Sequence, residues 1–261
     1  MRLRLLLLLV LFASPVAASA RVVLAAVPIG RMDLPWWRHR FQAKQAELRR
    51  APPALVFYGD SITQDWERDG KQPWARFRPV WNHYYGGRHA IDLGFVGDTT
   101  ASLIWRLDHG EASGISPRVA VVLIGANDMG APHWDAAETV DGIQTVVGIL
   151  RRRLPRTKLL LLAVLPSDRS VWITRTTAAI NRRLAGIYGD HRVDHVTYLD
   201  LDRLFYRDGR LVLTRFLDPH LHPPAAPLHP TAQTQAAMAA AMEPVLARLL
   251  GDSPRPPISA R

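Results

Sequence analysis

The chain has 261 residues, 48% of them hydrophobic and 21% charged, which is enough to bury a full core and excludes a chain disordered throughout. It has no cysteine, so disulfides, thiolate nucleophiles and zinc-thiolate sites are excluded as well. The formal charge is +10, a property that bears on partners and encounter rates and not on fold.

Residues 1–20, MRLRLLLLLVLFASPVAASA, place two arginines before an apolar run at positions 5–13 and small residues up to Ala20. This is the layout of a secretory signal peptide, with cleavage expected after Ala20 and a periplasmic or secreted product. The run falls short of the roughly 20 apolar residues a bilayer requires, so no stable membrane insertion is expected after cleavage. Loss of Arg2 and Arg4 lowers the formal charge from +10 to +8. For an exported protein that charge suits anionic envelope material, and no nucleic-acid partner is expected.

Beyond the leader, continuous apolar runs at 54–58 (ALVFY), 119–124 (VAVVLI) and 159–165 (LLLLAVL) predict strands covered on both faces, with weaker runs at 90–95 and 195–199. Helical patterns fall between them at 100–107, 134–154, 171–188 and 232–250. Strands alternating with helices predict βαβ units and a parallel sheet between helical layers. No repeat or flexible linker divides residues 21–250, so one domain is expected, with irregular segments at 21–53, 69–88 and 218–230. A disordered tail is expected at 251–261.

In an open parallel sheet, chemistry collects past the carboxyl ends of the strands. Gly59-Asp60-Ser61 stands there, after the first run, with glycine permitting a sharp turn and the serine opening a helix whose amides favour negative charge. The same tripeptide recurs at 251–253, but after the last helix and before Pro254. That copy reads as a helix stop with Gly251 as its cap. A serine nucleophile also needs a base and an oxyanion hole. The ends of two further runs carry GFVGDTT with Gly97 and IGANDMG with Asn127, suitable as backbone and side-chain donors. Taken singly, Gly97 also reads as a turn residue and Asn127 as an Asx-turn.

GDSIT, GDTT, GAND and LHPT, in that order, resemble the four sequence blocks of the SGNH hydrolases, the GDSL lipase/esterase family. GDTTASLIWRLDHGE and PRVAVVLIGAND are similar to the subgroup typified by the platelet-activating factor acetylhydrolase catalytic subunits. The resemblance implies a three-layer α/β/α sandwich around a five-stranded parallel sheet, flavodoxin-like. It also implies Ser61 as nucleophile, His229 as general base, and an oxyanion hole from the Ser61 amide, Gly97 and Asn127. No metal or organic cofactor is implied.

One family position departs. The aspartate expected three residues before the histidine is Ala226 here. A backbone carbonyl or a displaced carboxylate, with Asp218 the nearest by sequence, could take its place behind His229. His220 and His222 read as a solvated polar loop, since their spacing fits no recurrent zinc pattern. The expected function is hydrolysis of short acyl esters, acetyl above all, on a small ester or an acetylated glycan. The alternatives are a weak or inactive SGNH-fold binder of anionic or carbohydrate polymers, and an acyltransferase. Trp36, Trp37, Trp66, Trp74 and Trp81 are candidates either for sugar stacking at the rim or for core packing.

Overall fold

The computed structural model describes residues 22–258; the expected leader and its cleavage point lie outside the described residues. Five strands, β1 (Leu55–Gly59), β2 (Ala90–Gly94), β3 (Val119–Leu123), β4 (Lys158–Leu162) and β5 (Val196–Leu199), form one parallel sheet in the order β2-β1-β3-β4-β5. The helices are α1 (Pro35–Arg50), α2 (Ser61–Gln64), α3 (Phe77–Tyr84), α4 (Thr100–Arg106), α5 (Ala136–Arg153), α6 (Val171–Tyr188) and α7 (Ala232–Leu250). A two-residue hairpin, β6 (Tyr206–Arg207) and β7 (Arg210–Leu211), lies outside the sheet. This is the expected α/β/α architecture around a five-stranded parallel sheet.

The continuous apolar runs became strands because both faces are covered: every residue of β1 and β3 is buried. β5 gave the weaker signal because it is an edge strand, with only Val196 fully buried. Two segments expected to be irregular contain helices. In α1 the buried positions are Trp37, Phe41, Lys44 and Leu48, a helical stripe diluted by a lysine whose ammonium meets Glu47 and Glu67. In α3 they are Phe77, Val80, Trp81 and Tyr84, and Pro79 sits in the first turn, where its missing N–H costs little. The tail is not free from residue 251 onwards. Asp252 pairs with Arg88 at 2.9 Å, and the Arg255 amide donates to Glu243 at 2.7 Å. Gly251 caps α7 in the left-handed region (φ 70°), as its sequence context indicates.

The aromatic residues settle mostly inside. Trp37 stacks on Phe41 at 5.6 Å, while Trp66 and Trp81 pack around Phe57 and Tyr85. The sugar-rim alternative therefore fails for Trp37, Trp66 and Trp81, which are core residues. Trp36 is exposed, and Trp74 lies half-buried under the Arg68 guanidinium.

Candidate active site

Ser61 opens α2 directly after β1. Asp60 caps that helix by accepting from the Ile62 amide at 2.9 Å. The turn is tight because two glycines let α2 lie against the sheet. A Cβ on Gly59 would come within 2.4 Å of Leu123 O, and one on Gly94 within 2.1 Å of the Gln64 nitrogen. Burial raises the Asp60 pKa to about 7, and its Oδ2 has no partner.

His229 arrives from 168 residues away, and a short antiparallel pairing explains how it is held. The Leu217 amide donates to His229 O at 2.7 Å and the Thr231 amide to Arg215 O at 3.0 Å, so residues 215–218 run alongside 229–231. This lays Asp218 against the histidine. His229 Nδ1 stands 2.6 Å from Asp218 Oδ1, and Asp218 Oδ2 accepts from the amides of Leu228 and His229 at 2.8 and 2.6 Å. On the other side of the ring, His229 Nε2 stands 2.9 Å from Ser61 Oγ. Of the two substitutes left open for the acid, the carboxylate of Asp218 takes the place and no backbone carbonyl does. Ala226 is exposed.

The electrostatics agree with this geometry. Burial works against the His229 imidazolium, but the hydrogen bond and charge of Asp218, joined by Asp65 and Asp60, outweigh it and raise the pKa above 6.5. Burial pushes the Asp218 carboxyl upwards, yet the His229 ring and the two amides prevail and hold it below the ordinary value.

Gly97 and Asn127 follow β2 and β3, the two neighbours of β1, so they flank Ser61 across the strand ends. Asn127 Nδ2 donates one proton to Asp98 O at 3.0 Å, which joins the two loops and leaves its second N–H free of that bond. Gly97 adopts φ 73°, a conformation that suits glycine. Its loop is anchored from beneath by a network around Asp98 and Arg106 that sequence reasoning did not single out. Asp98 accepts from Trp37 Nε1 and from Arg106 Nε, each at 2.7 Å. The fully buried Arg106 also donates to Gly59 O, Leu93 O and Glu111, and so grips the ends of β1 and β2 together. The Gln64 side chain accepts from the Val96 amide at 2.9 Å. The one available signal was RLDHGE, where arginine and glutamate stand five apart next to an apolar helix.

Asp128, beside Asn127, anchors the third loop. Its carboxyl accepts from the Thr100 amide at 2.9 Å, while Thr100 Oγ1 lies 2.6 Å from Asp128 Oδ2 and 2.8 Å from Ala25 O. One hydroxyl proton cannot serve both oxygens. Burial raises Asp128 to about 7, and in its protonated form the carboxyl donates to Thr100 Oγ1, leaving the threonine proton for Ala25 O. His220 and His222 are exposed. Among the described residues, no group of three or more His, Cys, Asp or Glu could hold a metal ion.

A serine, a histidine and an aspartate in hydrogen-bonded series, beside two donor-bearing loops, can carry out acyl transfer. Similarity to known proteins points the same way. The profile of the GDSL-like lipase/acylhydrolase family matches residues 57–237. The human platelet-activating factor acetylhydrolase IB subunit alpha2 is 28% identical over 193 residues, covering 72% of this chain and 78% of that protein. A GDSL-like lipase from Bacteroides thetaiotaomicron shares the fold at a TM-score of 0.59 and 17% identity, over 80% of this chain and 97% of that one. A carbohydrate esterase of family 3 from Talaromyces cellulolyticus does so at 0.56 and 16%, over 76% and 98%. The chain therefore belongs to the GDSL-like lipase/acylhydrolase family and is a carboxylic ester hydrolase.

Proposed function

We propose that this chain is an exported serine esterase that removes short acyl groups, acetyl above all, from a small ester or an acetylated glycan. The observation that carries the reading is the unbroken series from Asp218 through His229 to Ser61. In the first half-reaction Ser61 Oγ attacks the ester carbonyl and its proton passes to His229 Nε2. The tetrahedral oxyanion is received by the amides of Ser61 and Gly97 and by Asn127 Nδ2. His229 then gives the proton to the departing alcohol, leaving an acyl-serine. Water attacks that ester, giving its proton to His229. The collapse of the second tetrahedral species frees the carboxylic acid and returns the proton to Ser61. Asp218 holds the imidazole in one tautomer and supports its cationic form throughout.

The acetyl preference is supported by the acetylhydrolase named among the relatives, and export by the leader pattern of residues 1–20. Ser61→Ala is expected to abolish turnover of a short-chain nitrophenyl ester while thermal melting stays within about 1 °C, since the change deletes one oxygen, hydrogen-bonded to His229, and no apolar packing. Undiminished turnover in that variant would remove the assignment. Covalent labelling of Ser61 by a fluorophosphonate separates the esterase from a binder that holds its ligand without turnover.

A further inference from the structure

Two arginines that the chemistry above does not use flank the nucleophile, and they differ in how their charge is met. On the β2 side, Arg31 donates to Val96 O at 2.8 Å and to Asp98 Oδ1 at 3.2 Å, so a carboxylate answers it. On the β4 side, Arg169 donates from Nε to Ser167 Oγ at 3.0 Å and from Nη2 to Ala126 O at 2.6 Å. Both acceptors are neutral, and no ion pair is formed by Arg169 among the described residues. Burial holds its pKa below the ordinary arginine value, against the charges of Asp60 and Asp218, which act to raise it.

The position of this unmatched guanidinium follows from the strand order. Ser61 follows β1, Asn127 follows β3, and Arg169 lies in the loop after β4, two strand spacings of ~4.8 Å from the nucleophile's strand. Each of its partners belongs to a wall of the candidate active site. Ala126 precedes Asn127 in the chain. Ser167 donates to Pro227 O at 2.9 Å, two residues before His229. Two of the five guanidinium protons are thus committed to holding the head group in place, and the remaining three lie on Nη1 and Nη2. Nη1 stands over Gly130, 3.8 Å from the place a Cβ would take. A fixed, half-buried fork with its end-on edge free fits the two oxygens of a carboxylate or phosphate.

We infer that Arg169 is a specificity-determining residue that receives an anionic group, a carboxylate or a phosphate, on a part of the substrate remote from the scissile ester. The inference rests on the serine-esterase reading and deepens it to esters of acidic compounds. Binding an anion remote from the reacting carbonyl anchors the substrate and supplies energy for orienting it.

The test compares acetyl esters that differ only in charge: O-acetylated galacturonate against O-acetylated galactose, with acetylated glycerol phosphate as the phosphate arm. Wild-type protein at low salt should favour one or both anionic esters in kcat/KM, chiefly through KM, and the preference should shrink as added salt shortens the screening length. Arg169→Gln should lower the anionic-to-neutral ratio about tenfold, and Arg169→Lys should restore part of it. The carboxylate and phosphate arms identify which group is read. An equal loss on charged and neutral esters would make Arg169 a structural latch and overturn the inference. So would a wild-type protein with no preference for either anion, a result that needs no variant to fold. If no ester is turned over, the esterase reading fails by itself. Calorimetric binding of galacturonate and glycerol phosphate to wild type and Arg169→Gln then decides the anion site, and equal binding by the two proteins overturns it.

Discussion

Replacing Asp218 by asparagine keeps the shape of the group behind His229 but removes its charge and can invert the tautomer it selects. Turnover is expected to fall by about four orders of magnitude, with a remnant above the water rate from the oxyanion donors. The pH profile carries a second signature. A general base works deprotonated, so with His229 in the proposed role kcat/KM should rise as pH increases through the His229 pKa, and in the wild type that limb should be centred above 6.5. In Asp218→Asn, burial is left without its largest opponent, and the limb should move to lower pH. A profile that stayed in place would show that Asp218 does not set the basicity of His229. The same pair is linked to stability with opposite signs. The raised His229 pKa contributes stability that is full below 6.5 and lost as pH rises through the folded value. The lowered Asp218 pKa contributes stability that is present above 3.8 and lost as pH falls through the folded value. The pairing of Asp218 with His229 was only half legible in the sequence. Ser61, Gly97, Asn127 and His229 stand in recognisable blocks, whereas Asp218 is eleven residues from its partner and meets it only because residues 215–218 pair with 229–231.

At the scale of elements, Ser61 is placed by how closely α2 lies on β2. Gly94→Ala would set a Cβ 2.1 Å from the Gln64 nitrogen, 2.6 Å from Thr63 C and 2.8 Å from Asp60 O, all backbone atoms that cannot rotate aside. Helix and strand must separate, at a cost of about 1–3 kcal/mol, and Tm should fall by about 2–4 °C for each kcal/mol. Gly186→Ala, at an exposed position of α6 with no atom within 4 Å of the new Cβ, should instead raise stability by up to about 1 kcal/mol. Calorimetry on the two variants checks the pair, and a Gly94→Ala protein that melted like wild type would show that α2 is not pressed against the sheet. Elements with dense apolar signals were the ones legible beforehand: β1, β3 and β4 as unbroken runs, α6 and α7 over the same bounds as expected. α1 hid because its buried stripe includes Lys44 among many charged residues, and α3 hid because Pro79 resembles a helix breaker when its place in the first turn is unknown.

Across the whole molecule, the site exists only when the two ends of the fold are joined, since Ser61 and His229 come from opposite halves of the sequence. α7 makes that junction. It begins just after His229, its Gln235 side chain donates to Ile62 O at 3.0 Å, and its far end is fixed by Arg88. Arg88 forks onto both oxygens of Glu243 at 2.8 and 2.6 Å and reaches Asp252 at 2.9 Å, with the Arg88 and Glu243 side chains only 3% and 2% exposed. Neither charge is worth much in isolation, because taking both out of water costs about as much as their attraction returns. Breaking the pair is a different matter. Arg88→Met should destabilise the protein by about 3–5 kcal/mol, since Glu243 is left buried without a counter-charge, its one remaining hydrogen bond coming from the Arg255 amide. Adding Glu243→Leu should recover most of the loss by removing the stranded carboxylate. Denaturant titration of the two single variants and the double variant measures the coupling. If the double variant is less stable than Arg88→Met alone, the junction between α7 and the sheet depends on charge itself and not on the avoidance of an unpaired one.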